Sequence, residues 1–179
     1  MTEKLKDIKT LFQSYVEKYG GELYMIGDSI LIIDCLNYMV VYEDDKRVGT
    51  VNNSTKIKGS IYALKKCDIE GEFFIQKKSG LLLRKIPEVM LNLKHIKEID
   101  EFNVYTDNLE MLLIKMFQDI QYRQYLNSIE LYPITLKEKT LQIELTTNAN
   151  TRHLKLKVLE NLIDELNQTY EVLEFYKRK

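Results

Sequence analysis

Residues 22–43 read Glu-Leu-Tyr-Met-Ile-Gly-Asp-Ser-Ile-Leu-Ile-Ile-Asp-Cys-Leu-Asn-Tyr-Met-Val-Val-Tyr-Glu. Three runs rich in Ile, Leu, Val and Tyr are separated here by Gly27-Asp28 and Asn37, and β-branched and aromatic residues favour pleated strands while Gly, Asp and Asn favour tight turns. The spacing predicts strands over 22–26, 29–36 and 38–43 joined by hairpins, with a further turn at Asp44-Asp45-Lys46. A chain that makes consecutive hairpins builds an antiparallel sheet, and this sets the fold class.

Upstream of this stretch the period changes. Leu5, Ile8, Leu11, Phe12, Tyr15, Val16 and Tyr19 recur every three or four residues and stop at Gly20-Gly21, which predicts an amphipathic helix over 3–19. Downstream, 47–51 and 55–65 flank the turn former Asn52-Asn53-Ser54, and 70–77 supplies another strand before Ser79-Gly80. Along 55–65 the alternation puts Lys56, Lys58, Ser60 and Tyr62 on one face and Ile57, Gly59, Ile61 and Ala63 on the other, a wet basic face and a buried one. Residues 81–101 read either as continuing sheet at 81–83 or as a short helix over 89–96 after Pro87.

The last third alternates strand and helix. A strand at Phe102–Val104 ends at Thr106-Asp107-Asn108, residues that cap a helix expected over 109–126. Strands at 129–132 and 141–145 bracket a turn, and a long helix over 151–177 carries Leu154, Val158, Leu159, Leu162, Ile163, Leu166, Tyr170 and Leu173 on one broad side. The reading is an α+β fold on a mainly antiparallel sheet of hairpin strands, with an N-terminal, a central and a long C-terminal helix. At 179 residues it is expected to be a single domain over 1–179, any subdivision falling near 80–101.

Composition narrows the function classes. With 45% hydrophobic and 30% charged residues, two prolines and seven glycines, the chain belongs with folded proteins. The N-terminus mixes charges where a signal peptide needs an apolar run, and no stretch reaches the ~18 to 20 apolar residues of a membrane span, so a cytoplasmic location is expected. Cys35 and Cys67 read as small core residues of a protein in a reducing compartment. His95 and His153 have no metal-ligand spacing, and neither a phosphate-binding glycine loop nor a nucleophile elbow occurs; no metal and no cofactor is expected, and no catalytic residue is assigned.

Charge is unevenly spread. Residues 46–97 hold twelve Lys and Arg against four acids, a balance of +8, while 1–45 balance at −5 and 98–179 at −4. Lysines on an exposed sheet face near aromatic rings are suited to anions, so Lys56, Lys58, Lys65, Lys66, Lys77 and Lys78, with Tyr62 as aromatic neighbour, are the candidate binding residues. Lysine also guards sheet edges, and a pI near 6.2 argues against a dedicated nucleic-acid binder. A protein partner is favoured, with an anionic ligand or nucleic acid as the other candidate. The stripe Leu159, Leu162, Leu166, Leu173 has near coiled-coil spacing and would suit a homodimer through the C-terminal helix.

Phe102-Asn-Val-Tyr-Thr-Asp-Asn108, followed by an apolar helix and a strand pair, resembles a group of uncharacterised bacterial proteins. Members carry a Phe-x-Val-Tyr-Ser-Asp-Asp-like strand end before a helix and two strands; the likeness spans about residues 70–147 and implies no catalytic residue. Many of that group carry N-terminal membrane helices, which this chain lacks. The order of elements is also similar to small bacterial secretion chaperones, which are dimeric and bind extended partner segments, although more strands occur here. The resemblance implies uptake of a peptide on a strand edge or in an apolar groove. The favoured reading is therefore a non-catalytic binding or interaction module whose partner is anionic or an extended protein segment. The alternatives are a small enzyme or inhibitor acting on a nucleic-acid machine, of mobile-element type, and a structural homodimer.

Overall fold

The computed structural model describes residues 3–45, 50–51, 54–55, 58–77, 91–93, 101–128, 133–147 and 154–178. The first elements are α1 (Glu3–Tyr19), β1 (Glu22–Ile26), β2 (Ile30–Cys35), β3 (Tyr38–Asp45), β4 (Thr50–Val51), β5 (Ser54–Thr55), β6 (Lys58–Lys66) and β7 (Glu72–Lys77). After them come β8 (Leu91–Asn92), β9 (Phe102–Asp107), α2 (Glu110–Gln118), α3 (Ile120–Ser128), β10 (Ile134–Lys137), β11 (Thr140–Thr147) and α4 (Leu156–Lys177). Strand pairing is antiparallel, and the chain is an α+β protein with an N-terminal helix, central helices and a long C-terminal helix. The chain gathers into two compact units, Met1–Leu64 with Glu144–Asp164, and Lys65–Ile143 with Glu165–Lys179.

In unit 1 the strands run in the order β1-β2-β3-β6. Pairing sets Leu31 against Tyr42, Ile33 against Val40, Tyr42 against Ile61 and Val40 against Ala63. All six are buried and share one face, because residues two apart on a strand point the same way. Leu5, Ile8, Leu11, Phe12 and Tyr15 of α1 bury against that side, each large side chain adding about 1.5–3 kcal/mol of burial. α1 ends where the sequence predicts. The Gly20 amide donates to the Val16 carbonyl at 2.8 Å with φ 81°, a left-handed helix cap. Gly21 follows at φ 104°, and a Cβ there would sit 2.8 Å from Cys35 Sγ and 2.9 Å from the Asp34 carbonyl.

In unit 2 the order is β11-β10-β7-β9-β8. Ile134 pairs with Ile143 and with Ile75, and Ile75 with Val104, giving one apolar face. Leu113, Met116 and Phe117 of α2 supply further core, the Phe117 ring 5.8 Å from that of Phe102. The helix expected over 109–126 is instead two helices, broken at Asp119. This residue is extended (ψ 114°), and its Oδ1 accepts the amides of Gln121 and Tyr122, capping α3. β10 lies at Ile134–Lys137, where a turn was expected, and pairs with β11 through the two-residue turn Glu138-Lys139 at φ 48° and 58°. This left-handed turn matches strand twist but is unfavourable for residues with a Cβ. Lys139 offsets it: its carbonyl accepts the Cys67 amide at 2.8 Å and its Nζ reaches Asp68 Oδ1 at 3.1 Å.

Leu91-Asn92 pair with Tyr105 and Thr106, so the helix alternative for 89–96 fails where the chain is described. Residues 81–90, 94–100 and 129–132, on which other expectations fell, lie outside the described residues.

Candidate functional site

The lysines singled out from sequence are described only in part. Lys56 and Lys78 lie outside the described residues, and Lys58 is placed by backbone alone, opposite Asp45. Lys65 is half-buried and turned onto α4, its Nζ 2.8 Å from Asn167 Oδ1 and 4.2 Å from the centre of the Tyr170 ring. Lys77 is half-buried and donates to the Asn127 carbonyl at 3.2 Å. Lys66 is exposed on the opposite face of β6 from Lys65, and Tyr62 is half-buried on the same face as Lys66. Two of the candidate cations are thus committed to internal contacts. His95 and His153 lie outside the described residues, while Cys67 is buried and Cys35 half-buried, both as free thiols. Leu159, Leu162, Leu166 and Leu173 are buried within the chain, so that stripe offers no dimer seam.

A different surface emerges in unit 1. β1 stands at the end of the strand order, paired with β2 on one side. Tyr24, Met25 and Ile26 are 46%, 49% and 56% exposed, which is unusual for three consecutive large apolar residues. The register carries this surface inward from the edge: Tyr24 opposes Ile32, Ile32 opposes Val41 and Val41 opposes Tyr62, while Ile26 opposes Ile30. These residues share the face turned away from Leu31, Ile33, Val40 and Tyr42, and those not at the edge are half-buried. The sheet of unit 1 therefore has one face packed by α1 and one apolar face reaching solvent at β1.

Beside β1 on the α1 side runs a groove of about 400 Å³, with Lys9, Gln13 and Val16 of α1 on one wall and Leu23, Met25 and Leu31 on the other. Between Gly20 and Asp45 the chain has no Lys or Arg and six acids, Glu22, Asp28, Asp34, Glu43, Asp44 and Asp45. Asp44 is matched internally by Lys4 at 3.7 Å. Glu22 and Asp34 are direct cross-strand partners, an arrangement in which like charges repel. Glu22 accepts the Tyr24 hydroxyl, and that bond raises the Tyr24 pKa above its ordinary value. Natural edge strands are usually blunted by lysine or proline, and β1 has neither.

A second concavity, about 510 Å³, lies in unit 2 over Ile69, Leu109, Leu112 and Tyr176. Its rim is an ion cluster: Asp68 meets Lys139 at 3.1 Å and Lys177 at 3.5 Å, and Lys139 also meets Glu70 at 3.6 Å. The hydrogen bond and charge of Lys139, with those of Lys177, hold the Asp68 carboxyl below its ordinary range. All four groups are well exposed, and such pairs contribute little to stability. The carboxylates here are matched by cations, whereas among the described residues no ion pair involves Glu22 or Asp34.

The sequence of 22–26 predicts a strand but does not by itself mark a surface. The available signal was Leu-Tyr-Met-Ile, apolar on both faces of a strand, inside a cation-free segment. Among the described residues no three His, Cys, Asp or Glu side chains group as metal ligands, and no helix is long and apolar enough to cross a membrane.

No family model matches the chain, and no curated protein matches it. Among solved structures, the crystal structure of the mycobacterial trehalose monomycolate transport factor A, TtfA, is similar with a TM-score of 0.62 and 10% sequence identity, over 94% of this chain and 95% of that one. The likeness is one of fold. It extends along nearly the whole chain, whereas the resemblance noted over residues 70–147 has no matching family model behind it.

Proposed function

We propose that the chain is a non-catalytic interaction module that holds a protein partner on unit 1, at the β1 edge and the apolar face behind it. The observation that carries this reading is the run Tyr24-Met25-Ile26, about half exposed on a strand with one unpaired side among the described residues. Large apolar side chains held in water at a free edge cost solubility and invite pairing, which makes a contact surface their most economical explanation. A fold like that of a protein named as a transport factor agrees with a role in holding or handing on a partner, by analogy of fold alone.

The test is a pull-down from host lysate with the tagged wild type and with Ile26→Lys and Tyr24→Lys variants, washed at low and high salt. The expected result is a protein partner retained by the wild type after the high-salt wash and lost by both variants. Identical captures by all three would overturn the assignment of this surface. Partners that depend on Lys66 instead would return the argument to the basic residues.

A further inference from the structure

We infer that the partner of this surface is an extended protein segment that pairs with β1 as an added strand and places a Lys or Arg across from Glu22. The inference rests on the proposed function above and goes further in naming the chemistry of the occupant. Three observations meet at β1. The backbone on the side of β1 away from β2 has no strand partner among the described residues, so its amides and carbonyls on that side are available for a ladder. The two rows of side chains on β1 then set the pattern of the incoming strand. Leu23 and Met25 project toward the groove beside α1, where alternate apolar residues of the added strand would enter. Glu22, Tyr24 and Ile26 project to the opposite face, where the remaining residues would lie.

Charge then selects the residue at the Glu22 end. Glu22 and Asp34 oppose each other on adjacent strands, and residues 20–45 supply no cation to either. A cation on the added strand opposite Glu22 would stand in the same row as both carboxylates and relieve their repulsion. An acidic residue there would put three like charges in a row. A second copy of the chain fits less well: antiparallel self-pairing centred on Tyr24 brings Ile26, and no cation, to Glu22.

The experiment uses the full chain and two labelled peptides, acetyl-Val-Lys-Val-Tyr-Val-Lys-Val-amide and its counterpart with Glu for both Lys. Each reads the same in either direction, so a charged residue meets Glu22 whichever way the strand runs. Fluorescence anisotropy is expected to show the Lys peptide binding at least about fivefold tighter than the Glu peptide. That preference is expected to shrink as salt rises from about 50 to about 500 mM, and to invert in the double variant Glu22→Lys/Asp34→Lys. Hydrogen exchange is expected to slow at 23–26 when the Lys peptide binds.

Equal affinities, or an unchanged preference in the double variant, would overturn the charge assignment. No binding of either peptide at about 1 mM would overturn strand addition, and the pull-down would still decide the broader reading separately. A dimer by light scattering that Met25→Pro dissolves would assign the edge to a second copy and overturn the inference.

Discussion

Lys4 is the buried lysine of α1, 8% exposed, with its Nζ 3.7 Å from Asp44 Oδ1 and 5.7 Å from the centre of the Tyr42 ring. Burial pushes its pKa below the ordinary lysine value, and the Asp44 charge opposes that shift. At 3.7 Å the pair has attraction without a good hydrogen bond. Removing one partner of a buried pair costs about 3–5 kcal/mol, and the long separation puts Asp44→Asn below that range, at about 2–3 kcal/mol. Asparagine keeps an acceptor for the Tyr42 hydroxyl, which donates to Asp44 Oδ1 at 3.1 Å, so the loss is mainly electrostatic. The double variant Lys4→Met/Asp44→Asn removes both charges at similar volume and is expected within about 1 kcal/mol of wild type.

Urea unfolding of the four proteins at neutral pH gives the coupling energy directly. The sign of the pH dependence follows from the lowered Lys4 pKa. Between the folded value and 10.5 the unfolded chain binds more protons, so stability rises with pH there, and Lys4→Met is expected to lose that rise. Tyr42 behaves oppositely: burial raises its pKa, so its stabilisation is present below pH 10 and lost above it in both proteins. An Asp44→Asn cost below about 0.5 kcal/mol would refute the argument, since it would mean the pair is screened by solvent.

Gly59→Ala would place a Cβ 2.7 Å from Tyr42 Oη and 2.9 Å from Lys4 Nζ; because Tyr42 is fully buried, a loss of about 1–3 kcal/mol is expected in a melting experiment. Cys67 is buried and its thiol is pushed up to about 11, chiefly by burial, so Ellman's reagent at pH 8 is expected to modify the half-buried Cys35 and to reach Cys67 only on unfolding. Asp119→Ala removes the cap of α3 and the acceptor of the Tyr176 hydroxyl at 2.7 Å, and is expected to cost about 1–2 kcal/mol by chemical denaturation.

α1 could be read from sequence because its apolar stripe and its stop signal, Gly20-Gly21, agree. The first three strands were legible for the same reason, since turn formers punctuate apolar runs. The break at Asp119 was not: the stripe Leu109, Leu112, Leu113, Met116, Phe117, Ile120 runs across it at helical spacing, and what interrupts the helix is a carboxylate folding back on the amides of Gln121 and Tyr122. The Glu138-Lys139 turn was hidden because neither residue favours a left-handed backbone, and the contacts that hold Lys139 come from residues some seventy positions away.

The candidate site failed to show itself for a related reason. A count of lysines says nothing about where long side chains fold; Lys65 folds onto Asn167 of α4, and Lys77 reaches the backbone carbonyl of Asn127 at the surface. Apolar composition between turn formers identifies β1 as a strand but cannot say that it ends the sheet, nor that Glu22 faces Asp34. Both facts follow from strand order and register, which are long-range properties.

If partners meet this chain at β1, a reactive group placed there should capture them. The most direct measurement is photo-crosslinking in the native host, with a benzophenone amino acid at position 26 in one strain and at position 112, in the unit 2 concavity, in another. A discrete protein adduct is expected from position 26 and none from position 112; an adduct from 112 with none from 26 would place the partner away from β1.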